Sequence, residues 1–152
     1  MLDLFSELIA IAERLDDSGV RYALVGGLAY SVWVEARATE DIDLLIDGDA
    51  WPSVADHLAG LGYQRIAAEM DFAGMRIRRL TKIEPDDVLT LDLLLADGRF
   101  AAALDSAVQV DHGGGTLRVA RPEAIIELKK LRLSARDELD IAGLERLIDE
   151  QK

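Results

Sequence analysis

The chain contains no cysteine, which excludes disulfides, thiolate metal sites and a cysteine nucleophile. Histidine is nearly as scarce. His57 falls in an expected amphipathic helix and His112 in an expected hairpin turn, so neither a histidine metal centre nor a Ser-His-Asp arrangement finds support. Aromatic residues make up only 5% of the chain, and Trp33 and Trp51 sit at or near helices, where they read as core rather than as nucleobase platforms. No apolar run approaches the roughly 18 residues of a membrane span, so no membrane partner and a soluble protein are expected. The N-terminus, Met1-Leu2-Asp3-Leu4-Phe5-Ser6-Glu7, has early acids and no basic n-region, which together with the missing cysteines gives a cytoplasmic address as the expectation.

Positive charge is also in short supply. Seventeen Lys and Arg face 29 Asp and Glu, a net charge of −12 that disfavours broad binding to a nucleic-acid backbone. Two basic clusters stand out against this background: Arg76, Arg78, Arg79 and Lys82, and then Lys129, Lys130, Arg132 and Arg136. The first reads equally as a seat for a polyanion or as a mixed solvated surface. At 152 residues the chain reads as one domain, residues 1–152, able to remove about 68–70% of its unfolded surface from water. Residues up to about 120 form its core and 121–152 its C-terminal helices.

Leu4, Phe5, Leu8, Ile9, Ala12 and Leu15 recur at helical spacing, so a helix is expected over about 3–17. Arg21 to Val25 reads as a short buried strand, and Leu28 to Val34 as a helix that begins at Gly26-Gly27. Further strands are expected at Ile42–Ile46, Tyr63–Ala67, Phe72–Leu80 and Val88–Ala96, the Tyr63 and Phe72 segments pairing antiparallel. Trp51–Leu61, Phe100–Ser106, Pro122 to about Leu133, and about Arg136 to the end read as helices. A hairpin around Asp111-His112-Gly113-Gly114-Gly115 completes an α/β (α+β) domain with a mixed sheet.

Two features of this order carry chemistry. Leu24-Val25-Gly26-Gly27-Leu28-Ala29 places a diglycine between a strand and a helix, where backbone amides and the helix dipole can approach an anion closely. Asp41 and Asp43, at i and i+2 on a strand, share one face while Ile42 and Leu44 take the other. Asp92, between leucines on a neighbouring strand, supplies a third carboxylate where a lone buried charge would cost several kcal/mol. Three converging acids suit hard divalent cations that bridge phosphates. Lys129, Arg132 and Arg136 would share one helical face if the helix continued through Ser134, as ligands for phosphate or as ordinary cations near a helix C-terminus.

These residues resemble a known family. Leu24 to Ala29 followed by Arg37-Ala38-Thr39-Glu40-Asp41-Ile42-Asp43 looks like the first motif of the nucleotidyltransferase superfamily with the DNA polymerase β-like fold. Asp92 in Thr90-Leu91-Asp92-Leu93-Leu94 matches its third carboxylate. Glu127-Leu128-Lys129-Lys130-Leu131 and Arg136-Asp137-Glu138-Leu139-Asp140 are similar to segments of the small bacterial AbiEii-like branch. The chain departs from it in carrying Gly27 where serine is common, in a doubled lysine that leaves Lys129 or Lys130 as the functional one, and in a C-terminal portion too short for a large acceptor region.

The resemblance implies an enzyme that moves a nucleoside monophosphate from an NTP to an acceptor hydroxyl or phosphate and releases pyrophosphate. Asp41, Asp43 and Asp92 would be its catalytic residues and the ligands of two Mg2+ ions, with Mn2+ as an alternative. Gly26, Gly27, Arg37, Thr39 and Lys129 would bind nucleotide phosphates. Arg37 has a competing role, pairing with Glu35 to order the loop, and Thr39 one in supporting the turn. Asp137 and Asp140 read as supports that cap the last helix or hold Arg136 and Lys129. The acceptor is RNA, protein or a small molecule, and a toxin–antitoxin role follows from the AbiEii likeness. The alternative is a non-catalytic nucleotide- or partner-binding module of such a pair, with a homodimer or a partner protein in either case. A metal-dependent phosphohydrolase is the third reading.

Overall fold

The computed structural model describes residues 2–36, 39–112, 114–132 and 135–152. Helix α1 (Leu4–Asp17) starts where the Asp3 carboxylate accepts the Ser6 N–H at 2.9 Å, satisfying one of the otherwise unpaired donors of the first turn. Its apolar stripe, Leu8, Ile11, Ala12 and Leu15, is fully buried. Strand β1 (Tyr22–Val25) is buried at all four positions and passes directly into α2 (Gly26–Trp33). Then follow β2 (Asp41–Ile46), α3 (Trp51–Ala59) with Pro52 in its first turn, and four strands: β3 (Tyr63–Arg65), β4 (Met70–Phe72), β5 (Met75–Glu84) and β6 (Asp87–Leu95). A 3-10 turn at Gly98–Phe100 leads into α4 (Ala101–Asp105), the hairpin β7 (Val108–His112) and β8 (Gly115–Val119), and finally α5 (Pro122–Arg132) and α6 (Ala135–Glu150).

The eight strands form one mixed sheet in the order β3-β5-β6-β2-β1-β8-β7, with β4 on β5. β2 lies near its middle, antiparallel to β1 and parallel to β6. Because side chains alternate along strands, each face has its own cover. Tyr22, Leu24, Leu44 and Leu93 share the face that meets α1 and α3, whereas Val25, Asp43, Asp92 and Arg79 share the face covered by α2, α5 and α6. The mixed α+β architecture expected from the sequence is therefore the observed one. No helix among the described residues is long and apolar enough to cross a membrane.

One expected strand divides. The segment expected to run from Phe72 to Leu80 turns sharply at Ala73-Gly74, both at positive φ (54° and 88°), so that Phe72 faces Met75 in a tight hairpin of β4 and β5. The Asp71 side chain accepts the Gly74 N–H at 3.1 Å and steadies that turn. The expected antiparallel pairing of the Tyr63 segment is present, with Tyr63 opposite Lys82.

Candidate functional site

Strand register aligns a row of residues across four strands. Val25 is opposite Asp43, Asp43 is beside Asp92, and Asp92 is opposite Arg79. Gly26 follows directly, at φ +72°, a conformation that disfavours any residue with a Cβ. A Cβ built there would lie 2.2 Å from Asp43 Oδ2, so the glycine backbone and the carboxylate are packed in direct contact. Val25, the residue at the cap of α2, offers no side-chain hydrogen bond to the helix's first turn, whose N–H groups point towards an incoming anion.

Asp92 is only 9% exposed, and Arg79 holds it with two parallel bonds, Nε to Oδ1 at 2.8 Å and Nη2 to Oδ2 at 3.0 Å. This pair raises the Arg79 pKa above its ordinary value, chiefly through the hydrogen bonds to Asp92. Asp41 stands at the rim of the row, at the exposed start of β2. Partial burial of its carboxyl, then the negative charge of Asp92, hold its pKa above the usual aspartate value, with Arg79 acting in the opposite direction.

Lys129 is 6% exposed and Lys130 is exposed, so of the two it is Lys129 that faces the sheet. Its ammonium donates to Asp140 Oδ2 at 2.9 Å and lies 3.6 Å from Asp137 Oδ1, both carboxylates buried on α6. Asp137 and Asp140 thus hold Lys129, the supporting role expected of them.

Between the acidic row and α5 opens a cleft of about 530 Å³. Gly26, Asp43, Asp92 and Lys129 line it, together with Arg79. Asp41, Gly27 and Thr39 are not in its lining: Asp41 is at the rim, Gly27 sits in the first turn of α2, and Thr39 is half-buried just ahead of β2. Arg37 and the side chains of Arg132 and Arg136 lie outside the described residues. His57 and His112 lie elsewhere, against Ser18 and Phe5 respectively. Trp33 donates its indole N–H to the Ala120 carbonyl at 2.8 Å, and Trp51 lies under the Arg78 guanidinium at 3.9 Å, so both act as supports.

The first basic cluster does not act as one surface. Arg76 pairs with Asp97, Arg78 with Glu69, and Lys82 with Glu7, while alternation sends Arg79 alone to the cleft. Sequence reasoning missed this residue as a site member. The usable signal was its position at i+2 from Ile77 and i+4 from Met75, both of which line the same cleft.

The donor set fits a hard divalent cation in its chemistry: Asp41, Asp43 and Asp92 offer only carboxylate oxygens, and Gly26, with no Cβ, lets the Asp43 carboxylate lie against its backbone. As they stand, no three acidic or imidazole side chains among the described residues form a ready-made metal cluster, and both Asp92 oxygens are engaged by Arg79.

Several solved structures share this architecture. A lincosamide antibiotic adenylyltransferase, LnuA, bound to lincomycin, is 18% identical, with 93% of this chain and 96% of that chain aligned at a TM-score of 0.63. ANT(2")-Ia in complex with adenylyl-2"-tobramycin is likewise 18% identical, over 91% and 86% of the two chains at 0.63. A Thermotoga maritima protein assigned as a nucleotidyltransferase is 13% identical over 96% and 92%, at 0.65. At such identities these likenesses establish the fold. No curated protein matches the chain in sequence. The family model described as a nucleotidyl transferase of unknown function (DUF2204) matches residues 4–152, and the chain belongs to that family.

Proposed function

We propose that the protein is a magnesium-dependent nucleotidyltransferase. The observation that carries this reading is the row Gly26, Asp43, Asp92, in which the start of α2 and two neighbouring carboxylates face one cleft. The acceptor hydroxyl oxygen attacks the α-phosphorus of an NTP, the bond to the β-phosphate oxygen breaks, and the products are the nucleotidylated acceptor, pyrophosphate and a proton. Amides at the start of α2 hold the departing phosphates, and Asp92 takes up the hydroxyl proton once Arg79 releases it. Asp41, Asp43 and Asp92 would hold magnesium, or manganese in its place, and the bound ion would supply charge neutralisation of the triphosphate. Lys129, held between Asp140 and Asp137, stands at the α5 wall with its charge matched by those carboxylates and orders that side of the cleft. The AbiEii-like placement, the toxin–antitoxin link and the cytoplasmic address belong to the same proposal and rest on the sequence motifs and composition. The adenylyltransferases that share the fold support the transfer chemistry.

The Arg79–Asp92 pair favours one rival, a nucleotide-binding module without catalysis, because it occupies the third carboxylate. Calorimetric titration with non-hydrolysable forms of the four NTPs, with and without magnesium, separates the cases. Magnesium-dependent binding that Asp41→Ala/Asp43→Ala abolishes supports the enzyme. Binding indifferent to magnesium supports the module, and absence of binding refutes both.

A further inference from the structure

The cleft extends well past the acidic row. Beyond Asp92 and Arg79 its wall is made by Met70, Phe72, Met75, Ile77, Leu94 and Leu128, contributed by β4, β5, β6 and α5. Among the described lining residues the only cations are Arg79, tied to Asp92, and Lys129, tied to Asp140. An arm of this kind repels a phosphodiester chain and attracts an apolar body, neutral or cationic.

Its place on the sheet says which substrate it serves. In-line displacement puts the attacking oxygen opposite the leaving pyrophosphate. Pyrophosphate belongs at Gly26, on the β1 side of Asp43, so the attacking oxygen enters from the other side, over Asp92 and Arg79. The apolar arm begins there. Resting on the nucleotidyl-transfer reading, we infer that this arm is the acceptor subsite and that the acceptor is a small hydroxylated amphiphile, uncharged or cationic, rather than RNA. The total volume of about 530 Å³ lies in the range of clefts that take small ligands.

The test uses N-phenyl-1-naphthylamine, a neutral aromatic dye whose fluorescence rises on entering apolar surroundings, added to the intact protein. Nucleotide binding is followed in parallel by calorimetry with α,β-methylene-ATP and magnesium. The dye is expected to bind both without nucleotide and with nucleotide at saturation. Phe72→Ser and Ile77→Ser are each expected to weaken it by about fivefold, the equivalent of losing part of one apolar contact. Phe72 is 45% exposed, so its replacement does not endanger the fold. Displacement of the dye by nucleotide would make the arm a nucleobase pocket and overturn the inference. Displacement by a uridine dodecanucleotide, or dye affinity unmoved in both variants, would overturn it equally. If the protein binds dye but no nucleotide, it is the transferase reading that fails.

Discussion

Asp41 is the residue at which function and stability oppose each other most directly. Its folded pKa lies above the ordinary 3.8, so between those two values the native state binds more protons than the unfolded chain, and stability falls as pH rises through the window. At neutral pH ionised Asp41 is therefore a net cost, small because the residue is exposed and its charge screened. Asp41→Asn is expected to stabilise the metal-free protein at pH 7 by about 0.5 kcal/mol or less, with the gain shrinking as pH falls towards the ordinary aspartate range. Urea denaturation of both proteins at two pH values measures it, and a loss of stability on substitution would contradict the assigned repulsion.

Gly26 offers a second contrast at the same scale. Gly26→Ala incurs about 1–2 kcal/mol for its left-handed backbone and in addition drives a methyl into Asp43. Gly19, at φ +71° with nothing within 4 Å of a built Cβ, incurs only the first cost. The difference in urea stability between the two alanine variants isolates the contact with Asp43, and magnesium-dependent nucleotide affinity should fall for Gly26→Ala alone. The diglycine and the Asp41/Asp43 pair were legible in the sequence because their spacing is local. Arg79 was not, because its role depends on lying opposite Asp92 thirteen residues away, a register the sequence does not display.

Among the elements, α5 and α6 are joined by a charge rather than by apolar contact alone. Lys129, Asp137 and Asp140 are all nearly or fully buried, so removing the cation takes a charged partner from two carboxylates in a poorly hydrated place. Lys129→Ala is expected to cost about 3–5 kcal/mol in urea denaturation, and adding Asp137→Asn and Asp140→Asn to Lys129→Met should recover most of it. A cost under about 1 kcal/mol would show the pair to be dispensable. The same elements show what patterning reveals. Helix α1 and its buried stripe followed from a 3.6-residue period, and β1, β2 and β6 from dense apolar runs. The β4–β5 hairpin escaped because its turn is Ala73-Gly74, which lacks the Asn-Gly or Asp-Gly signature of such turns. Its loss hid Met70 and Phe72 as neighbours of the carboxylates.

For the molecule as a whole, the net charge of −12 bears on how an anionic nucleotide arrives. Raising ionic strength from about 0.01 to 0.15 M shortens the screening length from about 30 to 8 Å. Association of a nucleoside triphosphate, followed by stopped-flow, should therefore speed up with added salt, opposite to the behaviour of a basic nucleotide-binding protein. Slower association at higher salt would instead reveal a local positive funnel at the cleft.

The join between β1 and β8 has a different consequence. A single parallel register position, Leu24 beside Val119, the Ala120 N–H to the Leu24 carbonyl at 3.0 Å and the Arg118 N–H to the Tyr22 hydroxyl at 3.0 Å connect the β7–β8 hairpin to β1. Inner strands β2 and β6 are instead paired along six positions. In amide deuteration the hairpin is therefore expected to open as its own cooperative unit, taking up label before β2 and β6 do, and each such opening leaves β1 as a momentary sheet edge one residue from the glycine that touches Asp43.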